Sequence, residues 1–318
     1  MPNLQERIEN GLNETRILIL GAQVLLGFNF RSVFEKSFER LEPASRDLKL
    51  ASLGLMLFAT GLLISPASYH RIVEEGADSG KFHRFISVVT ELALLPFAVA
   101  LAVDLGIATG RATGGGFAVV PAAGALFFAL LLWWGVEIAW RTAHGKRALP
   151  RRAAQSEGRR IMPEIGEKIQ NVLTETRVVL PGAQALLGFQ FISTLSEGYE
   201  KLPQAVKMVH LGSLGAICVS IVLLMTPAAW HRIAEEGEDS ERFHRLTGRY
   251  LLTALLFLGL GLAGDVYVVG VAAAKDPTLA LAAAAATLAV LWGLWFLLPF
   301  SRRVRVAAEK RARRRVTA

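Results

Sequence analysis

The sequence predicts an all-α integral membrane protein: two parallel tandem repeats of a four-transmembrane-helix bundle, eight spans in total. Three observations predict it: long uncharged apolar runs, an internal repeat, and the placement of lysine and arginine. Of the 318 residues, 53% are hydrophobic and 19% charged, against about 25% charged in a soluble chain. Those charges fall between apolar runs long enough to cross about 30 Å of hydrocarbon as a helix. Lipid offers backbone groups no partner, so such runs must be helical.

A shift of 161 residues aligns the two halves. Residues 14–30 and 175–191 share 11 of 17 positions, and residues 66–84 and 227–245 share 13 of 19. Leu4, Ile8 and Leu12 correspond to Ile165, Ile169 and Leu173, and Asp104 and Trp134 to Asp265 and Trp295. The expected organisation is a first four-span repeat over 1–140, a basic cytosolic linker at 141–164, a second repeat over 165–300, and a basic cytosolic tail at 301–318.

Each copy opens with an amphipathic stretch (Leu4, Ile8, Leu12), whose spacing suits a helix lying on the membrane surface. Spans follow near 16–35, 48–65, 84–108 and 117–140, then 177–196, 207–226, 245–273 and 278–300. Four spans per copy put both copies the same way up. With both termini cytosolic, 26 of the 35 Lys and Arg fall on the inner side and nine on the outer, as the positive-inside rule requires. That bias argues for a multi-pass topology with both termini cytosolic. It also explains the net charge of +8 without nucleic acid, because the surplus sits beside membrane helices. The polar residues 1–13 have no apolar core of a signal peptide, so the first span is expected to direct insertion. The single cysteine, Cys218, excludes an internal disulfide. Gly114–Gly116 reads as a flexible outer turn.

The segment 65–84 is the expected site. Ser65-Pro66 and Thr226-Pro227 read as helix starts, which predicts a separate interfacial helix over 66–75, ended by Gly76. Tyr69 and Trp230 would lie at headgroup depth. Asp78-Ser79 and Asp239-Ser240 would cap the next span. His70, Arg71, Glu74, His83 and Arg84 recur as His231, Arg232, Glu235, His244 and Arg245. Three readings are open: a charged turn, a metal site of imidazole and carboxylate, and arginine recognition of phosphate headgroups. The spacing matches no established metal motif, so no metal, cofactor or catalytic residue is assigned. The expectation is a clasp in which Arg71 or Arg84 reaches Glu14 or Glu74 from a neighbouring helix.

Glu14, Arg16 and Gln23, with Glu175, Arg177 and Gln184, are expected to be polar packing residues of the first spans. Burial of both glutamines is expected, and so are two separate bundles docked side by side. Glu91 and Glu137 lack acidic counterparts, since Leu252 and Leu298 stand there; a symmetric pore cannot use them.

Glu14-Thr15-Arg16, Gly21-Ala22-Gln23, Leu25-Leu26-Gly27-Phe28, Pro66-Ala67, His70-Arg71-Ile72 and Phe82-His83-Arg84 together resemble a family of uncharacterised bacterial four-span membrane proteins, a domain of unknown function. The resemblance covers residues 4–108 and 165–269, and the duplication departs from the usual single unit. It implies a bacterial inner membrane and carries over no activity. The expected function is a non-catalytic membrane component that binds lipid or partner proteins, with anionic headgroups at the linker and tail. A transporter or channel with its path between the copies is the alternative, and a metal- or haem-dependent enzyme comes third. A homo-oligomeric or protein partner is left open.

Overall fold

The structure, a computed structural model, describes residues 4–74, 78–135, 160–161, 165–233 and 241–316. The chain is helical and duplicated. The first copy contains α1 (Leu4–Ser32), the short α2 (Lys36–Glu39), α3 (Pro43–Tyr69), α4 (Gly80–Thr113) and α5 (Val119–Leu130). The second contains α6 (Ile165–Ser193), the short α7 (Glu197–Glu200), α8 (Gln204–Ile233), α9 (Glu241–Ala274), α10 (Pro277–Trp292) and α11 (Leu298–Val316). Wider π turns follow α3 (His70–Glu74), α5 (Leu131–Gly135) and α10 (Gly293–Leu297). A two-residue antiparallel pairing joins Asp78–Ser79 to Arg160–Ile161, so this part of the linker is held; most of the linker lies outside the described residues.

Among the described residues, five helical stretches are long and apolar enough to cross a membrane: Pro43–Glu74, Gly80–Thr113, Gln204–Pro227, His244–Ala274 and Pro277–Ala308. Helix Val119–Leu130 is apolar but shorter. The first helices, α1 and α6, are not among the five. Large apolar side chains such as Val120, Phe127, Leu195, Leu281 and Leu297 face outward, as lipid-facing surfaces do.

Among the described residues no separate amphipathic segment precedes the first long helix. Helix α1 is continuous, and Ile8 and Leu12 are buried against Tyr69, Val73, Phe82 and Ile86. Nor is there a separate helix over 66–75, since α3 runs through Pro66. Proline frees the carbonyl four residues back, and Ser65 Oγ donates to that carbonyl, Leu62 O, at 2.7 Å. The hydroxyl read as a helix cap instead repairs the helix interior, as lipid demands. Tyr69 is buried, and its ring stacks on Phe85 at 4.1 Å. The cap before α4 is as expected: Ser79 Oγ accepts from Phe82 N at 3.0 Å. Gly76, Trp230's side chain and Asp239-Ser240 lie outside the described residues. Gly114 ends α4 at φ 83°, the left-handed cap that glycine permits. Ser45 Oγ donates to Gly116 O at 3.0 Å, which ties the end of the glycine triplet to α3.

The copies do not form two separate bundles. One cluster of buried apolar side chains runs through both, from Ile19 and Leu26 to Leu186 and Leu258. Helices α1 and α6 pack in parallel: Gln23 lies on Gly182, Gly27 on Phe189 and Phe34 on Gly198. Phe28 and Phe189, equivalent under the 161-residue shift, meet with ring centroids 4.5 Å apart. A contact between equivalent residues marks a local twofold axis. Lys36 bonds Glu197, its equivalent position under the same shift, at 2.5 Å, and Lys201 bonds Glu39 at 3.5 Å. The Lys36 hydrogen bond holds the Glu197 carboxyl below its usual range. The fourth helical segment of the second copy then crosses to the first, where Trp295 Nε1 donates to Gly61 O at 2.8 Å.

Candidate functional site: a polar clasp between the copies

The π turn His70–Glu74 continues α3 with a wider helical radius. π turns are rare and often sit at functional positions. Here His70, Arg71 and Glu74 are all buried. Arg71 Nε donates to Glu175 Oε2 at 2.6 Å, and Nη2 donates to Oε1 at 3.1 Å. Such a two-pronged pairing fixes orientation as well as charge. His70 Nδ1 shares Glu175 Oε1, and its ring stacks on Phe82 at 4.3 Å. Arg71 Nη1 also lies 3.4 Å from His244 Nε2. Glu175 has no exposed surface, so its charge depends on these partners.

An arginine clasp is present, but its partner differs from the expected ones. Arg71 reaches neither Glu14 nor Glu74. It reaches Glu175, the counterpart of Glu14 in the other copy. Helix packing explains the choice: α6 lies beside α1 and carries Glu175 under the α3 turn, while Glu14 is exposed. Arg16, Arg177, Arg84 and Arg245 are exposed too. His83 is half-buried and lines a cleft of about 340 Å³ with Glu14, Ser87, Thr90 and Glu91. The side chains of His231 and Arg232, and all of Glu235, lie outside the described residues, as does Glu137.

The two glutamines part company. Gln23 is fully buried on Gly182, and neither of its amide atoms has a hydrogen-bond partner. Gln184 is exposed, so its expected burial is corrected. The α6 face that meets α1 presents Gly182, Ala183 and Leu186, all buried, and Gln184 turns away from it.

A second polar feature, missed in the sequence, lies at the opposite end of the helices. In the first copy Asp104 accepts from Asn29 at 2.9 Å, Lys49 at 2.8 Å and Ser52 at 3.0 Å. In the second, Asp265 accepts twice from Gln190, at 2.7 and 2.8 Å, with His210 at 3.9 Å. The shift of 161 residues relates Asn29 to Gln190, Lys49 to His210 and Ser52 to Ser213. That register was the available signal, obscured because two of the three partners changed type.

Among the described residues no group of three or more His, Cys, Asp or Glu is arranged to hold a metal ion. The model of a family described as a family of unknown function (DUF6328) matches residues 3–137 and again residues 165–299. No curated protein and no solved structure matches the chain.

Proposed function

The chain belongs to the family of unknown function (DUF6328), once in each half, and from that premise we propose a non-catalytic multi-pass membrane component that binds anionic lipid headgroups. Its eight crossings are α1, α3, α4, α5, α6, α8, α9 and α10, with both termini on the cytosolic side of a bacterial inner membrane. The two first helices cross side by side, packed on one another through Gln23 on Gly182 and Gly27 on Phe189. The basic linker and tail then share the cytosolic side with the clasp.

The observation that carries this reading is the run from α10 into α11. The apolar helix continues through a π turn into Leu298–Val316, where eight Lys and Arg follow Ser301. Arg302, Arg303 and Arg305 are exposed. Each such residue near an anionic surface contributes about 1 kcal/mol of attraction. The transport alternative needs a path between the copies. Packing of Phe28 on Phe189 and of Gln23 on Gly182 fills the contact between α1 and α6, which favours a component over a conduit.

The test is native mass spectrometry of the full chain, purified in mild detergent and offered phosphatidylglycerol or phosphatidylcholine. Retention of phosphatidylglycerol, lost when Arg302, Arg303 and Arg305 are changed to Gln, supports the proposal. Equal retention of both lipids overturns it.

A further inference from the structure

The polar clusters at the end opposite the clasp occupy equivalent positions in the two copies and differ in one electrical respect. In the first copy Asp104 meets the ammonium of Lys49 at 2.8 Å. In the second copy His210 stands at that position, with Nδ1 3.9 Å from Asp265 Oδ1. Histidine carries a positive charge only with a second ring proton. Both His210 and Asp265 are buried, at 3% and 5% exposure.

The geometry of the imidazole is defined. Its Nε2 lies 3.3 Å from the carbonyl oxygen of Gln190. A carbonyl only accepts, so Nε2 carries a hydrogen, and Nδ1 is the ring nitrogen that faces the Asp265 carboxylate. Beside them is a cavity of about 10 Å³, lined by Gln190, Ser193, His210 and Asp265 together with Gly27 and Phe30 of the first copy. That is room for about one water molecule. Gln190 is 5% exposed, and its buried Oε1 has no hydrogen-bond partner.

The surrounding elements supply few other charges. Helix α6 offers Gln190 and Ser193, and α1 offers Gly27, Phe30 and Phe34, all uncharged. From α7, the Tyr199 ring lies 5.2 Å from His210. Lys207 lies over the tyrosine ring, 5.7 Å from its centroid, and donates to Glu200 O at 2.8 Å.

We propose that His210 and Asp265 together form a proton-binding site, in which the imidazole stands where the first copy has the Lys49 ammonium. The proton comes from solvent water and returns to it, and nothing is oxidised or reduced. With the proton bound the pair is neutral overall, as Lys49–Asp104 is. Without it a carboxylate is left buried and uncompensated, which is costly in apolar surroundings. The two residues titrate as a unit. The site stands apart from the lipid proposal, since it involves neither the clasp nor the basic helix.

Infrared difference spectra of the full-length protein in detergent, recorded between about pH 5 and 8 where histidine chemistry operates, test this directly. The expected result is a set of carboxyl and imidazole bands lost in His210→Lys and in Asp265→Asn, and kept in Asp104→Asn. Bands unchanged in His210→Lys overturn the proposal. So do the same bands raised by sodium chloride at constant pH, which would make the occupant an alkali cation. If His210→Lys does not fold, Lys49→His serves instead: it should add a second set of bands, and its failure to do so would contradict the proposal.

Discussion

Arg71 donates to Glu175 across 2.6 Å although the two residues lie 104 positions apart and in different copies. Neither side chain can keep its charge comfortably without the other, because Glu175 is fully buried and Arg71 nearly so. Removing one member of a buried ion pair costs about 3–5 kcal/mol. Arg71→Ala and Glu175→Ala should therefore each lower the thermal unfolding midpoint in detergent sharply. The double variant should cost clearly less than the sum, since it strands no charge. Additive effects would mean the two residues do not act together.

The glycines on the axis are not equivalent. A Cβ at Gly27 would run into the Phe189 ring, while one at Gly188 meets nothing within 4 Å. Gly27→Ala should destabilise by about 1–3 kcal/mol through overpacking, and Gly188→Ala should change stability by less than about 0.5 kcal/mol. Comparing the two unfolding midpoints checks this, and equal losses would contradict the contact.

Gln23 is buried with an unpartnered amide. An unsatisfied buried polar group costs about 1–3 kcal/mol, so Gln23→Leu should hold or raise the unfolding midpoint. The sequence alone predicts a modest loss, because it assumes a hydrogen-bond partner across helices. A marked fall in the midpoint would show that the amide is bonded after all. Gln184→Leu, on an exposed position, should be close to neutral.

The repeat was legible because most of Glu14–Phe30 and Pro66–Arg84 survives in both copies at one fixed shift. The clasp was legible in kind, since Arg71 and a carboxylate on the first helix stood out. Its partner was not legible, because a sequence that contains Glu14 and Glu175 as equivalents does not say which copy supplies the neighbour. Helix α3 was misread at Pro66: the rule that a hydroxyl before proline starts a helix holds in water, and here Ser65 serves Leu62 instead. The Asp104 and Asp265 clusters were half legible. The acids matched, but Lys49 and His210 share a role through position rather than residue type.

The topology is testable by reporter fusions. Eight crossings place both the linker and the C-terminus in the cytosol, so fusions after Gly158 and after Ala318 should both report cytosol. A periplasmic signal from either would contradict the eight-span proposal.

The central claim is that the two copies form one body, joined along α1 and α6 and clasped by Arg71 and Glu175. It is tested most directly by inserting a protease site after Gly158, purifying the full chain in mild detergent, cutting it and weighing the product by native mass spectrometry. The account predicts a single particle with the mass of both halves, which persists without the covalent link. Two separate half-size particles would contradict it.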